Sequence, residues 1–212
     1  MSCTQCRGVA SFFDHRIAQR ELKRYRRRGP SRTTQWLLEA LRQEAPGART
    51  LLDIGGGVGA IQHALVGNGY EAGISVDASP AYLEAARREA EARGYAHRMT
   101  YHLGDFTTLA PTLPACDVVT LDRVICCFDD MEALVTGSAK KARLAYGLVF
   151  PRVHLFTRIG FHLLNTFLRL RGSSFRIFLH PPDRVDALVR AHGLTLRVHR
   201  HTLLWQVRVY AR

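Results

Sequence analysis

Thr50-Leu51-Leu52-Asp53-Ile54-Gly55-Gly56-Gly57-Val58-Gly59-Ala60 is the stretch on which the fold turns. Its first half, TLLDI, is a short apolar run of the kind that forms a strand buried on both faces of a parallel sheet. Its second half sets glycines at 55, 56, 57 and 59. Glycine takes positive φ without steric cost and lets a ligand approach the backbone where a Cβ would collide. Between a strand and a following helix, here residues 60–67, such a turn is a cradle for a nucleotide cofactor. Gly55-x-Gly57-x-x-Ala60 also satisfies the dinucleotide fingerprint, so the turn leaves the choice of cofactor open.

Its neighbours narrow that choice. Asp53 closes the first strand, where a carboxylate would repel a pyrophosphate but suit a donor bearing an ammonium. Asp77 ends the second strand, 24 residues later. There it can accept from both hydroxyls of a ribose. Gly104-Asp105-Phe106 follows a third strand, with Asp105 placed for an adenine amino group and Phe106 for the ring face.

Outward from this core, strands and helices alternate. Strands are expected at 72–77, 99–103, 117–121 and 143–150, and helices from Pro80 to Arg93 and over 131–141. Ser79 is the expected N-cap of the helix that Pro80 opens. Alternation of this kind implies a parallel α/β sheet covered by helices on both faces. Before it, residues 11–28 and 33–44 read as two helices split by Gly29-Pro30. After it come an apolar helix over 153–170, a short helix at 183–192, and an antiparallel pair over 194–200 and 203–210. The expected layout is one structural unit: a helical cap (1–46), the core (47–150), an insertion or lid (151–180), and a closing helix and strands (181–212).

This ordered set resembles the class I methyltransferases that use S-adenosylmethionine. Their motifs look like LLDIGGGVGA (51–60), VDAS (76–79), GDF (104–106) and DVVTLDRV (117–124) here. The resemblance implies a Rossmann-like fold with a seven-stranded, mostly parallel sheet and an antiparallel C-terminal strand. It implies an enzyme whose donor contacts come from Asp53, Gly55, Gly56, Gly57, Asp77, Ala78, Ser79, Gly104, Asp105, Phe106, Leu121 and Asp122. The product would be S-adenosylhomocysteine. Residues 117–135, with Phe12-Phe13 and Lys23-Arg24-Tyr25, are similar to the magnesium-protoporphyrin O-methyltransferase branch. That similarity implies Tyr25 over the cofactor. It also implies a His-Tyr pair after the fourth strand, where this chain carries Cys126-Cys127, so the branch's acid–base imidazole is missing.

The acceptor side is less marked. Methyl transfer from a sulfonium is an in-line displacement of an already activated group, and orientation supplies much of the rate. A base is needed only where the acceptor atom carries a proton. Asp122 and His154 are the expected catalytic residues; Arg123, Cys126, Cys127 and His180 are expected around a small-molecule acceptor, lipophilic or acidic. Segment 153–170 reads as core, as a dimer contact, as a lid, or as a peripheral membrane contact. Arg16, Arg20, Lys23, Arg24, Arg26, Arg27 and Arg28 form a basic cluster, either solvated or a clamp for an anionic acceptor.

Composition bounds the rest. The 212 residues carry 30 Lys+Arg against 18 Asp+Glu, a net charge of +12, which favours anionic partners. No zinc finger, RNP-like strand or aromatic-interleaved basic stripe accompanies that charge. A nucleic-acid-modifying methyltransferase and an NAD(P)-dependent oxidoreductase stay as alternatives. Five cysteines at irregular spacing fit a reducing compartment rather than a disulfide framework. Cys3-x-x-Cys6 has half the spacing of a zinc site, and no metal is expected. No signal-like start or long apolar run is present, so a cytoplasmic protein is expected.

Overall fold

The computed structural model describes the backbone of residues 4–212 and side chains from residue 7; Cys3 and the side chain of Cys6 lie outside it. The TLLDI run is β1 (Thr50–Ile54), flanked by parallel β2 (Ala72–Asp77) and β4 (Cys116–Asp122). β3 (Met99–Leu103) and β5 (Ala142–Pro151) extend the parallel part outward. β7 (Trp205–Ala211) runs antiparallel to β5, and β6 (Thr195–His201) pairs antiparallel with β7 at the edge. The order is β3-β2-β1-β4-β5-β7-β6. The antiparallel β7 interrupts what would be the second mononucleotide-binding half of a dinucleotide fold, whose order is 3-2-1-4-5-6.

Successive side chains on a strand point to opposite faces, and the sheet uses both. Leu52, Ile54, Leu121 and Leu148 face one core, covered by α6 (Phe106–Leu109), α7 (Met131–Ala139) and α9 (Pro182–Arg190). Leu51, Val118, Val149 and Val209 face the other, packed by α3 (Arg32–Glu44) and α4 (Ala60–Leu65), with Ala90 of α5 (Pro80–Ala92). Leu121, expected to touch the donor, is fully buried in the first core.

The helix expected over 11–28 is two helices, α1 (Thr4–Phe12) and α2 (His15–Arg28). Asp14 causes the break: its Oδ1 accepts the Ile17 amide at 2.9 Å and starts a new helix, as an N-cap does. This cap is tied to the core. Glu89 of α5 binds Arg26 at 2.6 Å and Arg93 at 2.9 Å, the Tyr82 hydroxyl donates to Glu21 at 2.9 Å, and Ser79 Oγ donates to the Phe13 carbonyl at 2.7 Å.

Segment 153–170 becomes α8 (Leu155–Leu170). Only Thr157 and Leu168 of it are buried, so it is not part of the core. No helix among the described residues is long and apolar enough to cross a membrane.

Candidate donor and acceptor site

The sheet order reverses between β1 and β4, and open α/β sheets bind ligands in the crevice beyond the strand ends at that point. A cavity of about 460 Å³ opens there, with a smaller one of about 70 Å³ against it. Gly55, Asp77, Val124 and Cys127 line both.

The glycine turn shapes the junction. Gly55 and Gly57 sit at φ 61° and 56°, and Gly59 at 83°. A Cβ on Gly55 would lie 2.5 Å from Val124, and one on Gly56 would lie 2.3 Å from Asp53 Oδ2. At Gly57 nothing lies within 4 Å of the same position, so the open side of the turn is there.

The three expected carboxylates divide. Asp77 lines both cavities; its Oδ1 accepts the Ser79 amide at 2.8 Å and its Oδ2 the Gly57 amide at 3.1 Å. Burial raises its pKa to about 6 against those amides. Asp105 borders the small cavity, and its Oδ1 also caps α6 through the Thr107 amide at 2.9 Å. Asp53 lines neither. It is fully buried under Gly56, where its oxygens accept from Thr120 Oγ1 at 2.7 Å and Gln62 Nε2 at 3.0 Å. Burial, helped by the charges of Asp122 and Asp77, raises it to about 7 against those two hydrogen bonds. Asp53, expected at the donor, here carries hydrogen bonds that support the turn from beneath. Gln62 and Thr120, which donate to that carboxylate, and Ser75, which accepts from Gln62, were missed because isolated polar residues carry no motif.

The small cavity is lined by Ala78, Gly104, Phe106, Phe128 and Leu134 besides the shared residues. Ser79 lines neither cavity and spends its side chain capping α5. Tyr25 lines the large cavity with its ring 5.2 Å from His63 and under Arg93; burial raises its phenol.

At the end of β4, Asp122 lines the large cavity with its side chain 13% exposed. Its Oδ2 accepts from Thr34 Oγ1 at 2.5 Å. Its Oδ1 has no hydrogen-bond partner among the described residues, and the nearest cation, Arg123 Nε, is 3.7 Å away. Burial raises this carboxyl, opposed by Arg123 and Thr34. Arg123 is the one non-glycine residue at positive φ among those described, at 64°. Its guanidinium donates to the hydroxyls of Ser31 and Thr33 and lies over the Trp205 ring. A left-handed conformation at a non-glycine residue is a strained one, and it coincides here with the cavity wall.

Cys126 and Cys127 also reach the cavity, with both thiols directed at the Arg123 carbonyl, at 3.5 and 3.6 Å. The two expected histidines do not. His154 caps α8: Nδ1 accepts the Thr157 amide and Nε2 donates to the Leu203 carbonyl at 2.9 Å. His180 donates to the Phe128 carbonyl at 2.9 Å, and burial lowers its pKa. The rest of the wall carries Phe12 and Phe13, Phe161 and Leu164 of α8, Phe175 and Trp205, with Glu21, Ser31 and Thr34 as polar members. Of the basic cluster only Arg24 lines the cavity; Arg26 is bound to Glu89.

Residues 52–142 match the family model described as a methyltransferase domain, which is less than half of the chain. No curated protein matches the sequence. Among solved structures, the chain is similar to magnesium protoporphyrin IX methyltransferase from Synechocystis PCC 6803 with bound S-adenosylhomocysteine, at a TM-score of 0.72 and 17% identity, covering 98% of this chain and 99% of that one. An O-methyltransferase family protein from Burkholderia thailandensis superposes at 0.65 with 19% identity, over 94% of this chain and 60% of that one. A Haloferax volcanii methyltransferase in complex with the Trm112 methyltransferase activator superposes at 0.68 with 16% identity, over 96% of both chains. Sheet order and glycine turn give the chain the Rossmann-like fold of class I methyltransferases, and residues 52–142 carry a methyltransferase domain.

Proposed function

We propose that this enzyme methylates a small, largely apolar acceptor, and that the two joined cavities divide donor from acceptor. The observation that carries the proposal is Asp77, a buried carboxylate held by backbone amides where the cavities meet. Bound there, S-adenosylmethionine supplies a methyl group on a sulfonium, already activated for displacement. The chain fits that donor: Gly57 leaves open space, Asp77 offers oxygens to a ribose, and the small cavity lined by Phe106 and Phe128 matches a flat base, with Asp105 in its lining.

The protein's own work is orientation and proton handling. The apolar wall of Phe12, Phe161, Phe175 and Trp205 excludes water and seats the acceptor. Asp122 is the proposed proton acceptor. Burial makes it a stronger base than an exposed carboxylate, and one of its oxygens lacks a partner. Arg24 at the rim supplies the one cluster cation able to meet an acidic group on the acceptor.

Titration calorimetry tests the donor half. The native chain should bind S-adenosylhomocysteine, and Asp77→Ala should weaken it by about tenfold or more, since each tenfold is about 1.4 kcal/mol. No heat from the native chain would overturn the assignment. A screen for released homocysteine across lipophilic, phenolic and acidic acceptors tests the other half. With an acceptor in hand, Asp122→Asn should lower kcat by about 10²-fold or more with little change in KM. An unchanged kcat would remove Asp122 from the chemistry.

A further inference from the structure

We propose that α8 and the tip of the β6–β7 hairpin seat the protein on an anionic lipid bilayer. An outward-facing helix surface normally presents polar residues to water; that of α8 does the opposite. Leu155, Phe156, Ile159, Leu163, Phe167 and Leu170 recur at helical spacing along one face, and Phe156 and Leu170 are 78% and 83% exposed. Contiguous exposed apolar surface of this kind marks an interaction site. Leu203, at the hairpin tip, is 79% exposed. The hydrogen bond from His154 to the Leu203 carbonyl joins that tip to the start of α8.

Charge decides what covers this face. Between Pro151 and His180 the sequence has Arg152, Arg158, Arg169, Arg171 and Arg176 and no Asp or Glu. A second copy of the chain would bring the same cations against themselves. An anionic headgroup layer meets them with opposite charge, while leucine and phenylalanine enter the acyl boundary beneath. On the helix, Arg158, His162 and Arg169 fall on the flank of the apolar stripe, the arrangement of a helix lying in a membrane interface. Its 16 residues span ~24 Å at ~1.5 Å each, short of a hydrocarbon core of ~30 Å, so it lies along the surface rather than crossing.

The test is cosedimentation of the full chain with vesicles of phosphatidylcholine alone and of phosphatidylcholine with phosphatidylserine. The anionic vesicles should retain roughly tenfold more protein, and added salt should release it. Phe156→Asp/Phe167→Asp should lower that retention by about tenfold. Its melting temperature and S-adenosylhomocysteine affinity should stay native, because these rings are exposed and line neither cavity. Arg158→Glu/Arg169→Glu should abolish the preference for anionic lipid. No retention on anionic vesicles, equal retention on both vesicle types, or full retention by the aspartate variant would each overturn the proposal. So would a dimer in light scattering that the aspartate variant dissolves while native protein ignores vesicles. Donor affinity is read separately, so this proposal can fail while the methyltransferase reading stands.

Discussion

Asp53 shows how a residue can be placed correctly by its motif and still act differently from expectation. It stands at the end of β1, as the motif requires, and lies beneath the glycine turn, bound to Thr120 and Gln62 and lining neither cavity. Its burial has a measurable consequence. A carboxyl raised to about 7 in the folded chain, with Asp77 raised to about 6, holds protons that the unfolded chain has already released. The resulting stabilisation is present at low pH and drains away as pH rises from roughly 4 to 7. Asp117 and Glu89, both lowered by their hydrogen bonds against a burial cost, slope the other way and matter at the acid end. The donor-free protein should therefore lose melting temperature between pH 5 and pH 8. Asp53→Asn should flatten that fall, because the amide has no proton to lose in this range; an unchanged slope in differential scanning fluorimetry would remove Asp53 as its source. Both expected histidines lie outside the lining of the two cavities. A histidine near a cleft in sequence says nothing about where its ring nitrogens point, and both rings are spent on backbone groups.

Elements were easier to read than residues. β1, β4 and β5 were legible from apolar runs, because a strand buried on both faces leaves no room for polar alternation; β3 (MTYHL) is an edge strand with no fully buried residue. The N-cap of α5 was legible too, since Ser79-Pro80 combines two start signals. The break between α1 and α2 was not, because Asp14 sits within a pattern that is otherwise continuously helical and one side-chain hydrogen bond decides the matter. Ser31 was missed in the same way. It caps α3, and its hydroxyl also receives the Arg123 guanidinium across the cavity mouth. Ser31→Ala should cost about 0.5–2 kcal/mol in urea unfolding from the lost cap. A cost near zero would mean that Arg123 and Thr33 close the gap alone.

At the scale of the molecule, the sequence motifs covered one half of the site. The proposed donor half lies on consecutive strand ends, where spacing along the chain maps directly onto position in space. The proposed acceptor half is assembled from Phe12, Phe161, Phe175 and Trp205, which are far apart in sequence and have no fixed spacing to read. The stretch that matches the methyltransferase domain, 52–142, contains none of those four residues. The two halves can thus diverge separately: substitutions in the outer wall alter which compound is accepted without disturbing the nucleotide. A nucleoside mimic that stops at the glycine turn would inhibit relatives of this fold indiscriminately. Selective inhibition would require a compound long enough to reach Phe161 and Trp205.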